Sequence, residues 1–167
     1  MSSEGSEKTL KLVHIEKPPT SIDSLLTDAE ADVSQRAKTL RTCPPLSKIL
    51  PPDKSVVKLM DSYFANYSLV LSEASARAGT ELKVIWDTAI LEAGFVNLPN
   101  IFTFVIVRFF EMGKIKVEAE HHNGSQLVDW ADGPIAIIKN ARRIRITGTG
   151  KLIGSFVSYE MPSPPAP

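Results

Sequence analysis

Ile101-Phe102-Thr103-Phe104-Val105-Ile106-Val107-Arg108-Phe109-Phe110 is the most apolar stretch of the chain. Its β-branched and aromatic residues suit a pleated, half-buried surface. It is far shorter than the roughly 18 residues needed to span a bilayer, so it reads as a central strand. Glu111-Met112-Gly113-Lys114 then reverses the chain into Ile115-Lys116-Val117-Glu118-Ala119-Glu120, where apolar and charged residues alternate. Buried strand, Gly-bearing turn and alternating strand predict a hairpin, one partner central and the other half-solvated.

Downstream, His121-His122-Asn123-Gly124 predicts a type I′ turn. Gln126 to Trp130 reads as a short strand, and Ala131-Asp132-Gly133-Pro134 as another turn. Ile135-Ala136-Ile137-Ile138 is apolar at every position, so both its faces are covered. Arg142 to Thr147, Gly148-Thr149-Gly150 and Lys151 to Glu160 predict a second hairpin. Pro162-Ser163-Pro164-Pro165-Ala166-Pro167 cannot extend a sheet and reads as a polyproline-like tail.

Upstream, residues 1–20 form an arm with one apolar patch, Leu10 to Ile15, ended by Pro18-Pro19. Ile22, Leu25, Leu26, Ala29, Val33, Ala37 and Leu40 recur at helical spacing, which predicts an amphipathic helix over residues 21–41. Cys43-Pro44-Pro45 stops it, and a linker follows with a proline pair at each end, carrying Ile49 and Leu50. Asp53 caps a second helix with Val56, Val57, Met60, Phe64 and Tyr67 on one face. Residues 67–71 fit strand or helix. Thr80 to Ala93 reads as a third helix, with Leu82, Ile85, Trp86, Ala89, Ile90 and Ala93 on one stripe and Gly94 after it.

Helices first and strands second predict α+β: an N-terminal arm and amphipathic helices, then an antiparallel β meander. The rival is an eight-stranded jelly-roll-like β body behind a long arm, which requires strands at 67–71 and 81–87. The chain divides into 1–52 (arm, helix, Pro-rich linker), 53–161 (body) and 162–167 (tail).

The 19 Lys and Arg balance the 19 Asp and Glu, so bulk charge does not suit coating a nucleic acid. The single cysteine, Cys43, cannot form an intrachain disulfide and fits a reducing compartment. The first residues carry no apolar signal core. An intracellular, cytoplasmic location is expected, or a virion.

The densest cationic cluster is Lys139, Arg142, Arg143, Arg145 and Lys151, a candidate face for nucleic acid or an anionic membrane surface. Its bland counterpart is a solvated face paired with Glu111, Glu118 or Glu120. His121 and His122 point to opposite faces of a regular strand and cannot share a metal there. Gly148-Thr149-Gly150-Lys151 lacks phosphate-loop spacing. Asp129 and Asp132 read as turn chemistry.

The standing-out features are interaction features. They predict a non-enzymatic structural protein, a viral coat or matrix-type subunit, forming a homo-oligomer or larger assembly. Leu12, Val13, Ile15, Ile22, Leu25, Leu26, Val33, Ile49 and Leu50 would carry the self-association. No catalytic residue, metal, cofactor or small-molecule substrate is expected. The alternatives are a ligand-binding domain or enzyme whose pocket between helix and sheet joins Trp86, His121 and Asp129, and an adaptor subunit of a cellular complex.

Overall fold

The computed structural model describes residues 11–39, 47–51, 53–164 and 166. Their elements run β1 (Val13–Glu16), α1 (Thr20–Thr39), β2 (Ser47–Leu50), α2 (Lys54–Asn66), α3 (Ser68–Ala78), β3 (Lys83–Leu91), β4 (Gly94–Asn97), β5 (Ile101–Met112), β6 (Ile115–His121), β7 (Gly124–Leu127), β8 (Ile135–Lys139), β9 (Arg143–Gly148) and β10 (Lys151–Glu160). The class is α+β with a β-rich body. One antiparallel sheet has the order β1-β8-β5-β10-β3-β2, the other β4-β9-β6-β7. Leu10, Leu40, Arg41, Cys43, the linker from Pro44 to Leu46, Pro52 and the prolines at 165 and 167 lie outside the described residues.

Three layers follow from the burial. Val105 and Val107 of β5, Ile135 and Ile137 of β8, and Ile153 and Val157 of β10 face the helices. Their neighbours Phe104, Ile106, Ala136, Ile138, Leu152 and Phe156 face the smaller sheet. The six-stranded sheet is thus apolar on both sides, which accounts for the unbroken run at Ile135 to Ile138.

Both expected hairpins are corrected. β5 and β6 belong to different sheets, as do β9 and β10. Each glycine turn carries the chain across the sandwich, and the two crossings lie side by side: the Thr149 and Gly150 amides both donate to the Lys114 carbonyl, at 3.1 and 2.9 Å. A Cβ on Gly150 would stand 2.3 Å from the Met112 carbonyl oxygen, so only glycine permits this approach. The β6–β7 hairpin does form, with His121 opposite Gly124. It is not type I′, because neither His122 nor Asn123 has the positive φ that type requires.

The third helix is corrected to β3, which pairs β10 on one side and β2 on the other. Its C-terminal half, Thr88 to Leu91, is buried on both faces, so its apolar residues lose strand alternation and imitate a helical stripe. Residues 68–78 are helical, ended by Gly79 at φ 70.

The helices sit as their stripes require, with adjustments. Asp53 caps α2 by accepting from the Val56 amide at 3.0 Å, and Arg36 of α1 pairs with it at 2.8 Å. The buried face of α2 is Val56, Leu59, Met60 and Tyr63, while Val57 is exposed. Tyr63 and Tyr159 join α2 to β10 through hydroxyls 3.2 Å apart, and Tyr67 stacks on Tyr63.

Burial raises the pKa of all three tyrosines of the chain, aided for Tyr67 by Glu16, and Tyr67 is pushed up to about 12. A raised phenol contributes stability that is fully present below its ordinary 10.0 and is lost as pH rises through the folded value. Tyrosinate absorbance is therefore expected to stay flat through pH 10 and to rise only together with unfolding. A single tyrosine ionising normally in the folded protein would contradict this packing.

Candidate functional site

Where β4 and β6 end and β9 begins, the sandwich opens into a cleft of about 1000 Å³. Its walls come from three segments distant in sequence: Asn97 to Ile101, Glu120 to His122, and Asn140 to Arg143. Backbone bonds knit them together. The Arg142 amide donates to the Glu120 carbonyl and the Leu98 amide donates to the Arg142 carbonyl, both at 2.8 Å. Asn140, leaving β8, sits at φ 60, a left-handed conformation that Asn tolerates better than most residues.

Glu120 is the carboxylate of the cleft wall. It accepts a hydrogen bond from Arg143 Nε and lies 3.5 Å from Arg145. The Arg143 bond above all, with the charges of both arginines, outweighs desolvation and holds Glu120 below the usual carboxylate range. The Arg143 guanidinium also covers the exposed Phe95 ring at 4.3 Å.

Arg142 is placed differently. Its Nη1 stands 3.1 Å from His122 Nδ1. A guanidinium only donates, so Nδ1 accepts and the ring proton sits on Nε2. His121 and His122 meet edge to face, centroids 5.1 Å apart. Among the described residues, no three His, Cys, Asp or Glu side chains gather to hold a metal ion.

The cationic cluster read from the sequence is divided. Lys139 pairs with Glu73 at 3.4 Å and Lys151 with Glu92 at 3.2 Å. Arg143 and Arg145 pair with Glu120 on the outer face of the smaller sheet, Arg143 and Glu120 at the edge that borders the cleft, and Arg142 lines the cleft without that carboxylate. Trp86 packs against the helix-side core, and Asp129 caps a 3-10 turn through the Ala131 amide at 3.0 Å, so neither joins His121. Sequence reasoning missed Asn97, Pro99 and Asn140. Only Asn140 carried a local signal, as a turn-favouring residue ahead of a strand.

Leu12, Val13, Ile22, Leu26, Val33 and Leu50 are buried in the chain's own core, with Leu25 and Ile15 packed half-buried against it. Of the nine residues assigned to self-association, Ile49 alone stands out, at 64 % exposed. The described part of the arm, from residue 11 on, packs on the chain's own body: Gln126 of β7 accepts from the Leu12 and Val13 amides at 2.8 and 3.1 Å.

No protein-family model matches the chain, and no curated protein matches it in sequence. Among solved structures it is similar to the crystal structure of a Pseudomonas putida prolyl-4-hydroxylase, at 12 % identity and a TM-score of 0.59. The match covers 90 % of this chain and 92 % of that one. The fold shared over nearly the whole chain is therefore one that an enzyme uses. This overturns the expectation of a structural coat- or matrix-type subunit, and all but Ile49 of its supposed bridging side chains are buried or half-buried in the chain's own core. Among the described residues, no helix is long and apolar enough to cross a membrane.

Proposed function

We propose that the chain is a binding domain for a small polar ligand, built on the fold it shares with the hydroxylase and using the cleft beside Arg142. The observation that carries this is the convergence of polar side chains from three separate segments on a cleft of about 1000 Å³, within the size range of ligand sites. The neighbour is named for hydroxylating prolyl groups. An oxygen-activating iron centre typically takes two histidines and a carboxylate with open positions. The residues present do not fit one: His122 is bonded to Arg142, and Glu120 is held by two arginines.

A small-molecule screen followed by amide chemical shifts tests the site. Hits are expected to move Asn97, His121 and Arg142, and to be lost in Asn97→Trp, which fills the cleft from an exposed position. Hits that map elsewhere, or survive that substitution, would refute the assignment.

A further inference from the structure

Arg142 differs from the other arginines of this surface in what balances it. Arg143 and Arg145 share Glu120. No described carboxylate forms an ion pair with Arg142, whose partner is the neutral acceptor of His122. Arg142 and Arg143 against the one glutamate leave the charged side chains of the cleft wall one positive charge in excess. A guanidinium cannot shed its proton and offers five donors in a planar fork. His122 occupies one nitrogen, and the remaining donors of this cleft-lining side chain are available to a ligand.

The main chain that carries the fork is also held in place. The Arg142 backbone is bonded on one side to the end of β6 and on the other to the residue after β4. Such anchoring lowers the entropy lost when a ligand is gripped. The amides of Asn97 and Asn140 stand on the same walls as further donors. A metal cation would meet the excess positive charge, and Glu120, which could oppose that charge, is already shared by two arginines.

We propose that the ligand carries an oxyanion, a carboxylate or a phosphate group, and that Arg142 is the residue that recognises it. This rests on the cleft being the functional site. An oxyanion matches the guanidinium fork and turns its unbalanced charge into a pair of parallel charge-assisted hydrogen bonds.

The test is a titration of the full chain at fixed chloride, read by amide shifts and calorimetry. The probes are inorganic phosphate, phenyl phosphate, acetate and succinate, with manganese chloride and glycerol as cationic and neutral comparisons. Phosphates or carboxylates are expected to bind and to move Arg142, and which pair does so identifies the oxyanion's source. Arg142→Gln is expected to weaken binding roughly 10- to 100-fold. Arg142→Lys should recover part of it, because the charge returns without the fork. Arg145→Gln, on the outer face, should change affinity less than about threefold. Circular dichroism and melting confirm that each variant folds. Undiminished binding by a folded Arg142→Gln overturns the proposal, as does manganese or glycerol binding in the cleft while every oxyanion fails. Those last two results would leave the cleft as the site; no binding there by any probe or screened compound would remove both.

Discussion

A chain beginning at residue 51 is expected to lose cooperative folding. The sequence read alone suggests the opposite, a soluble body left behind when an assembly arm is cut away. The removed segment holds β1, α1 and β2, and with them Leu12, Val13, Ile22, Leu26, Val33 and Leu50, all buried. At about 1.5–3 kcal/mol per buried side chain, six such residues represent on the order of 10 kcal/mol of lost burial. That approaches the whole net stability of a typical domain, roughly 5–15 kcal/mol. The cut would also strip cover from Val105, Val107 and Ile137, which face the helix layer. The truncated chain should bind a hydrophobic dye and show no sharp thermal transition. A well-dispersed amide spectrum and a cooperative melt would show the first fifty residues to be dispensable.

Replacing Gly154 by Ala should have the next largest effect. Gly154 lies in β10 opposite Arg108, beside the register shift that leaves Phe109 as an extra residue on β5. A Cβ there would stand 2.5 Å from the Val107 carbonyl oxygen and 3.3 Å from the Arg108 Cα. Both are backbone atoms in the middle of the larger sheet, so relief requires moving a central strand. A cost of about 3 kcal/mol or more is expected, which lowers Tm by about 6–12 °C at this chain length. Gly79→Ala is the comparison. Its φ of 70 is unfavourable for alanine, but nothing lies within 4 Å of the new atom, so about 1 kcal/mol is expected. Equal losses for the two variants would contradict the close approach at Gly154.

What the sequence disclosed depended on whether a segment's neighbours preserved its periodicity. α1 and α2 each bury one stripe and leave the other side wet, so the stripes through Ile22, Leu26, Val33, Val56 and Met60 were legible as apolar faces, but the first three read as a surface for a partner when they belong to the chain's own core. β3 was not legible, because burial on both faces of Thr88 to Leu91 erases the alternation that marks a strand. Gly113 and Gly148 to Gly150 announced reversals correctly. Nothing local states whether a reversal stays within one sheet or passes to the next, since that is decided by the contact of the two crossings. The cleft was legible only in fragments. His121, Arg142 and Arg143 attract notice by type, but Asn97 becomes a wall residue only because the Leu98 amide reaches the Arg142 carbonyl. Arg142 itself looked like one more member of a basic run. It is distinguished by having no carboxylate partner among the described residues, a property of tertiary structure.

The position of β10 also bears on how the molecule is made. β10 follows every other described strand, yet it lies between β5 and β3 at the middle of the larger sheet. A growing polypeptide on the ribosome can form the helix pair early, but it cannot close either core until residues 151–160 have emerged. Until then β3 and β5 each present an unfilled edge of apolar backbone, the kind of surface that templates pairing with another chain. Translation halted shortly before residue 151 would therefore leave a product with its central sheet split, and the aggregation hazard would come from that missing strand.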